Sequence, residues 1–189
     1  GDLLNHLEKQ AMAENTIVIY LADNGWIQDP TKPRYAAKSK QSPYDGGLRT
    51  PIMVRFPAQL KPKTIETPVI SLDLLPTVLK LAGIGAPDQL PGIDLTDEAA
   101  VAARKSIQGE VFTHNSQDLN NPAASLRYRW IRQDNMKLIV PTKMESETAD
   151  VGTELYDLKA DPAETRNLAT EKPDQVLQLS ARLDEWWKP

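Results

Sequence analysis

Asp23-Asn24-Gly25 closes an apolar run, and Lys40 and then Asp45-Gly46-Gly47-Leu48-Arg49-Thr50-Pro51 follow it. A carboxylate next to a carboxamide brings two hard oxygen ligands to one point, the donor type that calcium and magnesium prefer. With the apolar run as a strand, that point lies beyond a sheet edge, where open α/β sheets bind ligands. A cation there would dominate the local field, and Lys40 would add a second positive group facing an anionic substrate. The combination suits hydrolysis of a sulfate or phosphate ester. Taken alone, Asp23-Asn24-Gly25 reads more simply as a hairpin turn, since all three residues are common turn formers. The residues around it carry the other meaning.

Several elements must hold these groups in place. Leu3, Leu4, Leu7 and Ala11 recur at helical spacing, which predicts an amphipathic helix over 2–13. Asn15 to Leu21 reads as a buried strand, rich in β-branched and large apolar residues and free of charge. Helix, short link and buried strand form the pattern of a parallel α/β sheet. Residues 26–44 contain Pro30, Pro33, Pro43 and scattered lysines, which is loop composition, and Ile52-Met53-Val54 forms a second strand. Asp73 is a plausible N-cap for a helix through Leu74, Leu75, Val78, Leu79 and Ala82, with Pro76 in its first turn and Gly83 at its end.

From Ser106 the pattern changes to short strands at 107–113, 126–133, 136–140 and 153–158, with Asp134-Asn135 as a tight turn. Leu126, Tyr128 and Trp130 alternate with Arg127 and Arg129, which predicts one packed face and one solvated basic face. Asp161-Pro162-Ala163-Glu164 has the cap, proline and acidic residue of a helix start. Val176, Leu179, Leu183 and Trp187 mark a final amphipathic helix after Pro173. The second half thus reads as a small antiparallel four-stranded sheet packed on a C-terminal helix.

Seven pieces in one order give this chain a resemblance. They are NTIVIYLADNG (15–25), KQSPYDGGLRTP (40–51), IMVRFP (52–57), LDLLPTVLKLAG (72–83), PGIDL (91–95), MKLI (136–139) and ELYDLKADPAETRNL (154–168). Together they resemble the C-terminal portion of the formylglycine-dependent sulfatases of the alkaline-phosphatase superfamily. The resemblance implies an α/β fold, with residues 1–105 ending the parallel α/β/α sheet of a catalytic domain and 106–189 forming a C-terminal α+β subdomain. It implies that Asp23 and Asn24 bind a divalent metal, usually calcium, and that Lys40 is the catalytic lysine that binds the sulfate group. Lys38, two residues away, is a second candidate for substrate binding. His114, ending a strand before a polar loop, is a third, at the pocket rim, against a plain surface histidine. Gln41 stands where the family pattern often has glycine, and Asp45 where it has glutamate.

The family's Cys-x-Pro-x-Arg or Ser-x-Pro-x-Arg segment, whose first residue becomes the formylglycine nucleophile, has no counterpart here, and the chain has no cysteine. The expectation is therefore a segment covering about the last third of a sulfatase, inactive alone, whose partner is the N-terminal part of the same protein. The implied substrates are sulfated small molecules or glycans, and the implied location is periplasmic or secreted. Two rivals share these features: a phosphonate monoester hydrolase or phosphodiesterase of the same superfamily, and a non-catalytic domain that binds sulfated glycan.

Bulk properties agree with an ordinary folded domain. The chain has 189 residues, 40% hydrophobic and 25% charged. A net charge of −4 speaks against general affinity for nucleic acid, whose footprint is a basic patch. No run approaches the roughly 20 apolar residues of a membrane-spanning helix.

Overall fold

The computed structural model describes residues 1–143 and 151–189. They divide into two compact units, Gly1–Asp23 with Thr50–Arg104, and Asn24–Arg49 with Lys105–Pro189. The sequence suggests a single division near residue 105, whereas the contacts also place 24–49 in the second unit. The reason is polar pairing: Asp45 finds Lys137 at 2.8 Å, and the Tyr44 hydroxyl donates to Glu154 at 2.8 Å.

In the first unit, helix α1 (Asp2–Lys9) is shorter than its apolar spacing predicts. Ala11 takes a left-handed φ of 52°, and the Met12 amide donates to the Leu7 carbonyl at 2.9 Å, which closes the helix early. Strand β1 (Val18–Leu21) pairs with β2 (Ile52–Arg55), from Val18 opposite Arg55 to Leu21 opposite Ile52. The helix-then-strand order points to a parallel sheet, but these two strands run antiparallel. A parallel pair needs a long crossover, usually helical, and the only helix between them is the single turn α2 (Asp45–Leu48).

Helix α3 (Leu74–Leu81) follows a turn of 3-10 helix at Ser71–Asp73 and ends at Gly83, whose φ of 70° suits glycine. Asp73 does more than cap. Its fully buried carboxylate accepts from the Ile70 amide (2.9 Å) and the Ile93 amide (3.0 Å), and it pairs bidentately with Arg104 at 2.6 and 2.7 Å. Thr77 donates to the Asp73 carbonyl and accepts from the Leu95 amide at 2.9 Å. These bonds bind the 91–95 segment to α3. Helix α4 (Glu98–Ala103) starts on Asp97, whose side chain accepts from the Ala99 and Ala100 amides.

The second unit contains the expected antiparallel sheet, in the order β3 (Ser106–Phe112), β4 (Leu126–Gln133), β5 (Met136–Pro141), β6 (Glu154–Asp157). Helix α5 (Pro173–Trp186) covers one face, with Ile131, Leu138 and Leu155 packed against Leu179 and Leu183. Arg129 lies on this face rather than in solvent. It pairs with Asp184 at 2.9 Å and donates to the Trp187 carbonyl at 2.6 Å. An arginine fits beside the apolar core because its guanidinium reaches the polar end of α5 while its stem packs.

The opposite face carries Trp130, Lys137, Ile139 and Tyr156, of which Lys137, Ile139 and Tyr156 are buried. Both faces are therefore covered, which an alternating pattern on one strand does not reveal. Asp161 to Glu164 form no helix. Glu164 adopts a left-handed φ of 54°, and the Asp161 carboxylate caps the Thr165 and Arg166 amides of a local turn instead. Among the described residues no helix is long and apolar enough to cross a membrane.

Candidate functional site

β1 ends at Leu21, and the chain then bends through Asp23 and Asn24. Trp26 starts no returning strand, because the partner of β1 is β2, so Asp23-Asn24-Gly25 is not the turn of a hairpin. Asp23 closes the first unit and Asn24 opens the second. The Asn24 side-chain nitrogen (Nδ2) donates to the Gly25 carbonyl at 2.9 Å.

Gly25 lies against another stretch of backbone. Its amide donates to the Gly47 carbonyl at 2.8 Å, and a Cβ at Gly25 would run into the Gly46 carbonyl oxygen. A Cβ at Gly47 would likewise meet the Ser39 carbonyl. Glycine at both positions lets three stretches of main chain stack without side chains between them. Gly25→Ala is expected to cost about 1–3 kcal/mol, as overpacking does, and to lower the urea midpoint. An unchanged midpoint would mean that the 24–47 segment is looser than this packing.

Within this segment the two candidate lysines have different surroundings. Lys38, in a left-handed conformation (φ 57°), points its ammonium over the Tyr44 ring (4.4 Å to the centroid) and near Tyr156 (5.2 Å), and donates to the Glu164 carbonyl. Ser39, fully buried, accepts from the Ile27 amide at 2.6 Å and fixes the chain between the two lysines. Lys40 is half-buried and holds its ammonium 5.8 Å from the Trp26 ring centroid. Trp26 is 55% exposed and meets Tyr35 edge to face at 5.3 Å. Lys38 is thus committed to the second unit's sheet, while Lys40 sits at an exposed aromatic surface. Gln41 has a φ of 63°, a conformation that favours glycine, and its side chain accepts from the Tyr35 hydroxyl at 2.7 Å.

The floor under Lys38 is a charged cluster that the sequence pattern does not announce. Lys137 is 1% exposed and lies 2.8 Å from Asp45 and 2.9 Å from Glu164, itself 2% exposed. The other oxygen of Glu164 accepts from the Asp45 amide at 2.6 Å. Beside it, the Tyr44 and Tyr156 hydroxyls both donate to one oxygen of Glu154, at 2.8 and 2.7 Å. Burial, aided by the Glu154 carboxylate, raises both phenols well above their ordinary range, so they stay neutral donors.

His114 is exposed in the bend after β3. Among the described residues no group of three or more His, Cys, Asp or Glu is arranged to hold a metal ion.

Residues 35–187, which include both lysines and the charged cluster, match the family described as N-sulphoglucosamine sulphohydrolase, C-terminal. The chain belongs to this sulfatase family. It is 30% identical over 211 residues to a sulfatase of Formosa agariphila, covering 98% of the chain and 37% of that relative. It is 30% identical over 213 residues to an N-acetylgalactosamine-6-O-sulfatase of Bacteroides thetaiotaomicron, covering 97% of the chain and 39% of the relative. Among solved structures, that of BT4656 in complex with its substrate D-glucosamine-2-N,6-O-disulfate superposes with a TM-score of 0.73 at 26% identity, over 98% of this chain and 36% of that one. This sulfatase chain therefore spans well under half the length of the relatives it matches.

Proposed function

We propose that the whole protein hydrolyses sulfate esters of a sulfated carbohydrate, with Lys40 binding the sulfate group. The observation that carries this reading is the division between the two lysines: Lys38 is held by Glu164 and two tyrosines, and Lys40 faces the exposed Trp26. Lysine suits the task as a compact, strongly hydrated charge on a long stem. As the sulfur–oxygen bond breaks, negative charge grows on the oxygens around sulfur, and a fixed ammonium there stabilises that state more than the ground state. A carbohydrate substrate is supported by the relatives that act on N-acetylgalactosamine and glucosamine sulfates.

Asp23 and Asn24 fit a divalent cation such as calcium as two members of a ligand set, since both present hard oxygen donors. Asp23 brings one negative charge and Asn24 none, which leaves a bound cation able to attract an anion. Once bound, the cation supplies positive charge beside the sulfate oxygens. Calcium takes about six to eight oxygen ligands, so a complete site needs donors beyond these two.

The test is sulfate release by the full-length protein from D-glucosamine-2-N,6-O-disulfate and from para-nitrophenyl sulfate. Lys40→Ala is expected to lower kcat/KM about 100- to 1000-fold with folding intact. Lys38→Ala should lower the melting temperature and reduce kcat/KM less than Lys40→Ala does. Equal kinetic losses from both would replace a specific sulfate contact with diffuse attraction, which added salt would screen.

A further inference from the structure

We infer that Glu164, with Lys137 behind it, is a positioning residue that sets where Lys40 sits; this rests on the reading of Lys40 as the sulfate-binding group. Glu164 holds the chain on both sides of Lys40. Its carbonyl accepts from the Lys38 ammonium, and its carboxylate accepts from the Asp45 amide at 2.6 Å. Between these two points the backbone is fixed again at Ser39, through the Ile27 amide, and at Ser42, whose hydroxyl donates to the Ser39 carbonyl. Lys40 is therefore the charged side chain of a short span clamped at both ends by one residue.

The left-handed φ of 54° at Glu164 lets the carbonyl and the carboxylate serve this one segment together. Such a conformation is strained for a residue with a side chain and persists only where its surroundings enforce it. Here Lys137 does so, by pairing with Glu164 and Asp45 from the buried face of β5. Burying these charges is not what stability alone requires, since apolar residues of similar volume often replace a buried ion pair at little cost. Directional bonds to an amide and an ammonium add a fixed register that apolar packing does not provide. Register matters because a displacement of about 1 Å at a reacting group costs up to roughly 100-fold in rate.

The experiment is a double-mutant cycle in the full-length protein, with para-nitrophenyl sulfate as substrate and Glu164→Gln as the mild change. Glutamine keeps an oxygen for the Asp45 amide and removes the charge that holds Lys137. Glu164→Gln alone is expected to lower kcat/KM about 10- to 100-fold. In the Lys40→Ala background the same change should alter kcat/KM less than about twofold, because its effect passes through Lys40. Its shift in melting temperature should be the same in both backgrounds. Asp45→Asn should repeat the pattern, and both variants should be cut faster by trypsin after Lys38 and Lys40.

A full Glu164→Gln loss that persists without Lys40 would overturn the positioning role and leave a general structural one. A folded Glu164→Gln variant with unchanged kcat/KM and unchanged trypsin cleavage would overturn it as well. If Lys40→Ala itself has no effect, the functional reading fails, and the clamp's catalytic role with it.

Discussion

Lys137→Ala is expected to destabilise the protein by about 3–5 kcal/mol, the cost of breaking a buried ion pair from one side. The ammonium is 1% exposed and lies within 3 Å of two carboxylates, one of them only 2% exposed. Its removal leaves Glu164 negative, buried and close to Asp45, and neither water nor another cation can easily take its place. Lys137→Met fills the volume and should recover the packing share of the loss only. Changing Glu164 to leucine together with Lys137→Met removes both buried charges and should recover more, although the Asp45 amide then loses its acceptor. Urea unfolding of the three variants beside the wild type measures this directly. If Lys137→Ala costs under about 1 kcal/mol, the ammonium behaves like an exposed one and the cluster is hydrated.

What the sequence carried was periodicity. The four strands of the second unit and helix α5 lie close to where alternation, the Asp134-Asn135 turn and Pro173 place them. Lys137 shows the limit of that signal. It sits inside Met136-Lys137-Leu138-Ile139-Val140, where an outward-facing lysine is the simplest reading. Only the arrival of Asp45 and Glu164, far away in the chain, makes burial of that charge possible. Arg129 is a similar case, since its partner Asp184 lies on α5. Glu164 misleads in another way: Asp161-Pro162-Ala163-Glu164 has the residues of a helix start, and its long-range bonds override that local preference.

The candidate site was legible in part for the same physical reason. Residue types near Asp23 and Lys40 lead to the proposal of oxygen ligands and an anion partner from sequence alone. The choice between Lys38 and Lys40 is not local, because it depends on Tyr44, Tyr156 and Glu164 gathering around one ammonium and leaving the other beside Trp26. The glycine expected at position 41 is understandable afterwards, since Gln41 holds the left-handed φ that glycine takes without strain. A one-residue deletion between 38 and 45 should therefore harm activity more than one within 28–34, where the chain makes mostly local bonds.

Asp73→Ala is expected to lose a similar 3–5 kcal/mol, since it strands a guanidinium that is 9% exposed and removes the acceptor of two amides. Asp73→Asn should fall between, because one amide oxygen survives but its NH2 group faces Arg104. Arg104→Lys keeps the charge and gives up the bidentate geometry, a smaller loss. The pair also has a signature in acid. Burial pushes the Asp73 carboxyl up, but the Arg104 guanidinium and the Ile70 and Ile93 amides outweigh it, and the net pKa lies below the ordinary 3.8. In that range the unfolded chain binds a proton that the folded chain refuses, so stability from this group is complete above pH 3.8 and lost as pH falls through the lowered native value. The gap in melting temperature between the wild type and Asp73→Asn should accordingly stay constant from neutral pH down to about 3.8 and narrow below it, as pH falls through the lowered native value. A gap that does not narrow in acid would mean that Asp73 holds the 91–95 segment as a hydrogen-bond acceptor alone, with no net contribution from its charge.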